Sequence, residues 1–296
     1  MTLQSREQLG AGGLSRGEIE RQLSVGEITR VRRGAYAPGG DLDAKAAHLR
    51  LAEATWSGLQ PGAALSHFSA ALAHGLPVPA GQLKRVWITR PGSAGGRQAG
   101  LVRLVRSDLG DDDCTVSGPF TVTSLERTAA DCALYSDLPD ALMIMDAALR
   151  NGASPTVLAE LAASWTGRHG IGVLRRAIAL GDPRSESPGE SRSRALFALY
   201  GLPMPELQVV VGDAEDAIAR VDFLWREQRL VGEFDGRVKY GRDMAPGGDP
   251  AKAVWLEKLR EDKLRQAGFR VERWIWADTV HPAAFIARLR RVLAQR

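Results

Sequence analysis

The stretch Gly181-Asp182-Pro183-Arg184-Ser185-Glu186-Ser187-Pro188-Gly189 restricts the fold more than any other part of the chain. Proline fixes φ and removes an amide donor, while glycine, serine and aspartate favour turns, so no strand or helix runs through it. It reads as a linker or domain boundary. A second break, Pro38-Gly39-Gly40, closes a small N-terminal unit. Three segments result: 1–40, 41–183 and 184–296. The whole chain of 296 residues is roughly twice the ~150-residue domain prior, which admits two or three domains.

With 44% hydrophobic and 25% charged residues, the chain can build cores, which excludes disordered, collagen-like and small disulfide-scaffold classes. No apolar run is long enough for a membrane helix. Met1 to Leu9 is polar and carries Glu7, unlike a signal peptide. Cys114 and Cys132 suit a reduced compartment and no metal motif, so a cytoplasmic, membrane-free protein is expected. The net charge of +4 permits a nucleic-acid partner without demanding one, although 33 of the 39 basic residues are arginine, which suits phosphate contacts.

In the first segment, Ser15 and Glu18 have the spacing of a capping box, and Ile19 and Leu23 give the following helix an apolar stripe. Ile28 to Tyr36 then reads as a strand pair turning at Gly34 and carrying Arg30, Arg32 and Arg33. A helix for the major groove and an arginine-bearing wing for phosphates would be the parts of a winged helix. A solvated β-edge is the alternative. The wording "LSRGEIERQLSVGEITRVRRGAYAP" (Leu14–Pro38) resembles the winged-helix domain of AbiEi-like antitoxins of type IV toxin–antitoxin systems. The runs "LSHFSAALAHGLP" (Leu65–Pro77) and "VTSLERTAADCAL" (Val122–Leu134) resemble the segment that accompanies it. The resemblance implies DNA binding through Arg30, Arg32 and Arg33, commonly as an autoregulator, and does not imply neutralisation of a toxin. His67 and His74, seven residues apart in an apolar helix, read as packed histidines; with Asp131 they form no zinc-ligand spacing.

In the last segment, Ala217–Trp225 and Arg229–Gly236 read as a hairpin. Loops of 227–228 or 226–229 both give a register in which Asp222 lies opposite Glu233, with Asp235 on the Glu233 face. Opposed like charges destabilise a sheet, and a divalent cation with oxygen ligands would relieve them. The alternative is that they face water or bond arginines. Ser187-Pro188-Gly189-Glu190 is a capping box with proline at the first helical position, so Glu190 either caps its helix or joins the acids. A helix from Ala251 to about Ala267 carries Lys258, Arg260, Lys263 and Arg265 among acids, which fits a solvated face or phosphate contacts. Trp255, Trp274 and Trp276 read as core residues.

Glu190, Asp222, Glu233 and "EKLREDKLRQAGFRVERWIW" (Glu257–Trp276) resemble, in order, the PD-(D/E)XK nucleases, most closely the very-short-patch-repair-like endonucleases. The resemblance implies a restriction-endonuclease-like α/β core in which Asp222 and Glu233 hold Mg²⁺ (or Mn²⁺). One departure stands: the lysine belongs two residues after the glutamate, where this chain has Asp235. Lys239 could then supply the cation, or Asp235 could be a further metal ligand.

The expected architecture is therefore α+β and α/β, multi-domain: a winged helix (1–40), a mixed α+β middle domain (41–183) and a nuclease-like domain (184–296). The expected function is Mg²⁺-dependent phosphodiester hydrolysis in defence or repair. Catalysis is assigned to Asp222, Glu233, Lys239 and Glu190, metal to Asp222, Glu233 and Asp235, and nucleic-acid contacts to Arg30, Arg32, Arg33, Arg260 and Lys263. A non-enzymatic DNA-binding regulator of the antitoxin kind is the alternative. Expected partners are DNA, with RNA left open, a cognate toxin under the alternative, and a second copy of the chain.

Overall fold

The structure, a computed structural model, describes residues 3–59, 61–92, 95–212, 217–236 and 250–295. It is mixed α and β with three sheets, and divides into two compact units, Met1–Cys132 and Ala133–Arg296. No helix among the described residues is long and apolar enough to cross a membrane.

The first unit opens with β1 (Gln4–Ser5), α1 (Arg6–Ala11), α2 (Arg16–Ser24), β2 (Ile28–Arg32) and β3 (Ala35–Pro38). The strands form an antiparallel sheet in the order β1-β3-β2, with Gly34 at φ +83° in the hairpin turn. Leu9, Ile19 and Tyr36 are its core, with Leu14, Leu23 and Ile28 packed around them, as the spacing of Ile19 and Leu23 requires. The Ser15 hydroxyl accepts the Glu18 amide at 3.2 Å, but the Glu18 carboxylate turns to Arg21 at 2.8 Å. Only half of the expected box forms there. The full reciprocal box is at α1, between Ser5 and Gln8.

The rest of this unit comprises α3 (Ala44–Trp56), β4 (Ala64–Leu65), α4 (His67–Ala73), β5 (Val86–Arg90), β6 (Gly95–Ala99), β7 (Val102–Arg106), β8 (Cys114–Ser117), β9 (Phe120–Thr123) and most of α5 (Leu125–Leu134), whose last two residues belong to the second unit. Its six strands run β6-β7-β5-β4-β9-β8. His67 is buried and stacks on Trp87. His74 bonds the Thr123 carbonyl at 2.8 Å. Both are packed, as read.

The second unit contains α6 (Leu138–Arg150), α7 (Pro155–Ser164), α8 (Ile171–Leu180), α9 (Pro188–Leu199), β10 (Glu206–Gly212), β11 (Ala217–Trp225), β12 (Leu230–Asp235), α10 (Pro250–Gln266), β13 (Arg270–Ile275), α11 (Trp276–Val280) and α12 (Pro282–Ala294). Its sheet runs β10-β11-β12-β13, antiparallel except for the β12–β13 pair. A core of Phe197, Leu207, Phe223, Trp225, Leu230, Trp274 and Phe285 includes side chains of α9, α12 and one sheet face. A second cluster, Val211, Ala219, Val221, Leu224, Val231 and Leu264, includes Leu264 of α10.

The turn-rich stretch 181–189 is a correction to the expected boundary. It lies within the second unit, tied down on both sides: the Asp182 amide donates to Asp146 at 2.8 Å, and Arg150 donates to the Ser185 carbonyl. The reason is charge. Arg194 on α9 pairs at 2.6 Å with Asp146 on α6, which is fully buried, and Arg192 pairs with Asp140. The polar face of α9 is thus interior, and α6 and α9 belong to one body. Trp274 is core, but Trp255 is 57% exposed, against expectation. Its helix commits Leu264 to the second cluster.

Candidate functional site

The hairpin register is as read: Phe223 pairs with Gly232, Leu224 with Val231 and Trp225 with Leu230, across a four-residue loop. The ladder stops there. One residue further, Asp222 and Glu233 do not form the expected ladder pair. Instead the Asp222 carboxylate accepts the Phe234 backbone amide at 2.9 Å, filling the place that the diverging strand leaves. β12 continues in parallel pairing with β13, Glu233 beside Arg273. Glu233 is 8% exposed, and Arg260 of α10 lies 3.4 Å from its carboxylate. The repulsion expected between opposed acids is therefore relieved partly by protein groups, a backbone amide for one acid and a guanidinium for the other.

Glu190 both belongs to a capped helix and faces the acids. The Ser187 hydroxyl caps the Glu190 amide at 3.2 Å, leaving the carboxylate to accept the Glu186 amide at 2.9 Å. The first turn of α9 sits hard against β12: a Cβ on Gly189 would lie 1.9 Å from the Phe234 ring. Only glycine permits that approach, which brings Glu190 beside the hairpin.

Gln208 on β10 joins the acids, and the sequence reading missed it. Its amide nitrogen donates to Glu190 at 2.9 Å and reaches Asp222 at 3.4 Å. Burial pushes the Glu190 carboxyl above its usual range, and the charge of Asp222 adds to the shift. Burial likewise raises Asp222, against the Phe234 amide, Gln208 and Arg260, which lower it. Each acid is thus costly to ionise in this setting, and a cation nearby would reverse that.

Asp235, half-buried, follows on the Glu233 side of the strand. Lys239 lies outside the described residues. Arg260 is committed to Glu233 and to the Arg220 carbonyl at 3.2 Å, whereas Lys263 is exposed on the same helix. Carboxylate oxygens are the donors a hard divalent cation takes, so the chemistry of Glu190, Asp222 and Glu233 fits Mg²⁺ or Mn²⁺. Among the described residues, however, no group of three or more His, Cys, Asp or Glu side chains is already gathered as a metal-holding set.

In the first unit, Arg30 and Arg33 are exposed and Arg32 is half-buried. Among the described residues none of the three guanidinium groups makes a hydrogen bond or ion pair. Arg32 and Arg33 line a cleft of about 320 Å³ whose other walls include Thr55, Leu59 and Val102. On α2, by contrast, Arg16 pairs with Glu20 and Arg21 with Glu18 and Glu27.

No family model matches the chain. Two sequences from Mycobacterium tuberculosis are similar: uncharacterized protein MT2308 (strain CDC 1551 / Oshkosh) and uncharacterized protein Rv2248 (strain H37Rv). Each is 31% identical over 180 residues, which is 60% of this chain and 63% of the relative. The match thus spans less than two thirds of the length of either relative. A solved structure, that of the RV2827C protein from Mycobacterium tuberculosis, aligns with a TM-score of 0.40 and 16% identity, covering 71% of this chain and 79% of that one.

Proposed function

We propose that the chain is a nucleic-acid-binding protein whose second unit hydrolyses phosphodiester bonds with a divalent cation. On this reading the second unit has the PD-(D/E)XK type of core and residues 1–40 act as a winged helix. The observation that carries the reading is the meeting of Glu190 from α9 and Asp222 from β11 at one glutamine amide, with the buried Glu233 on the adjoining strand. Three carboxylates from three elements, Glu190 and Glu233 buried and Asp222 half-buried, are expensive to assemble for structure alone, and metal-dependent phosphodiester hydrolysis uses such a set. Asp222 and Glu233, with Glu190, would hold Mg²⁺ or Mn²⁺. Bound there, the ion supplies a more acidic water and neutralises charge on the phosphate.

The protein's own groups do the remainder. Arg260 keeps Glu233 directed to the α10 side. The Phe234 amide holds one Asp222 oxygen, leaving the other toward Glu190. In the first unit Arg30, Arg32 and Arg33 bind the phosphate backbone and contribute most of the affinity, with Lys263 adding a contact in the second. The neutralised arginines of α2 make the hairpin, more than the helix, the source of electrostatic binding.

The regulator reading keeps one specific support, Asp235 at the position where the nuclease pattern has lysine. A cleavage assay separates the two readings. Duplex DNA, single-stranded DNA and RNA are incubated with Mg²⁺ or Mn²⁺, with EDTA as the blank. Cleavage by wild type that is lost in Asp222→Asn supports hydrolysis. Tight binding without cleavage of any substrate in either metal favours the regulator.

A further inference from the structure

β10 and β11 change faces at one cross-strand position. Leu207 packs in the same core as Phe223, whereas Val209 and Val211 pack with Ala219 and Val221 in the opposite cluster. Strict alternation would keep 207, 209 and 211 on one side. Leu207 pairs with Phe223 and Val209 with Val221, so the residues at the switch are Gln208 and Asp222, which make no ladder pair of their own. The switch is accomplished by a left-handed backbone at Gln208, φ +55°.

That backbone would be better served by another residue. Glycine takes left-handed φ without a Cβ clash, and asparagine tolerates it; a longer side chain there is strained by about 1 kcal/mol or more. What glutamine adds is reach, because its amide meets both Glu190 and Asp222. Strain held where the side chain serves a site is a known signature of function.

We propose that Gln208 is the positioning residue of this site: its amide, turned by the left-handed backbone, holds the Glu190 and Asp222 carboxylates converged for a divalent cation. The inference rests on the metal-dependent reading above. It assigns Gln208 no contact with substrate; its role is exerted through the two acids, as hydrogen-bonding partners orient metal ligands elsewhere.

The test is a Mn²⁺ titration followed by thermal melting, with EDTA blanks, on the full chain as wild type, Gln208→Gly and Gln208→Met. The glycine variant removes the amide while suiting the backbone; the methionine variant keeps the length and removes the amide. Both should fold, glycine melting no lower than wild type in EDTA, and both should need about 10- to 100-fold more Mn²⁺ for the same rise in melting temperature. A structural role would lower the EDTA melting points and leave the Mn²⁺ requirement unchanged, and that result overturns the assignment. A wild type indifferent to Mn²⁺ overturns the metal reading itself, a separate outcome because it appears before any variant is compared.

Discussion

The arginine hairpin of the first unit and the acid site of the second are opposite solutions to placing charge. In the hairpin, three guanidinium groups stand on one short strand and its turn, with no bond to any other described residue. In the acid site, Glu190 and Glu233 are buried, and each charge is met by a protein group drawn from elsewhere in the chain. An exposed cation costs little to hold and is screened by salt, so it needs only a turn to present it. A buried carboxylate must be compensated by several elements at once. The hairpin is therefore expected to tolerate substitution and the acid site to resist it.

The largest effect should come from the support beneath the acid site. Arg194→Ala strands the fully buried Asp146, and loss of one member of a buried pair typically costs about 3–5 kcal/mol. Urea unfolding should register that loss, with the double variant Arg194→Met/Asp146→Leu recovering much of it. An Arg194→Ala midpoint near that of wild type would show that α6 and α9 are not held together by this pair.

The hairpin should behave in the other direction. Arg32→Ala/Arg33→Ala should change stability by no more than about 0.5 kcal/mol. It should nevertheless weaken binding to duplex DNA and flatten the log–log salt dependence by about 0.9 for each phosphate no longer neutralised. Fluorescence anisotropy at several salt concentrations measures both. Unchanged affinity and slope in the folded variant would return these arginines to the solvated-edge reading.

The same contrast explains what could be read from the sequence. The Gly34 turn, the arginines beside it and the β11–β12 register are local, set by turn chemistry and alternation, and each is found where those rules put it. The β11–β12 register that brings Asp222 and Glu233 near each other was legible because it follows from one short loop, although the ladder ends one residue short of the two acids. Gln208 was not, since nothing in Glu206–Gly212 marks a face switch; its three apolar residues at odd numbers look like one uniform face. Only the pairing with β11 shows that Leu207 and Val209 point into different clusters. The 181–189 stretch misled for the converse reason. Its turn residues are real, but composition does not reveal that Asp146 and Arg150, more than thirty residues earlier, bind its backbone.

On the metal-dependent reading, Glu190 and Asp222 are assembled for a cation and not for the fold. Thermal melts of wild type and Asp222→Asn, each in EDTA and across a Mn²⁺ series, test it most directly. Asparagine keeps an oxygen for the Phe234 amide and removes the charge that burial disfavours. The variant should be at least as stable as wild type in EDTA; the wild-type melting point should climb steadily with metal as RT ln(1 + [L]/Kd), with no such climb in the variant. A variant clearly less stable in EDTA, together with a wild type unmoved by Mn²⁺, would mean that the carboxylates serve structure and would contradict the claim.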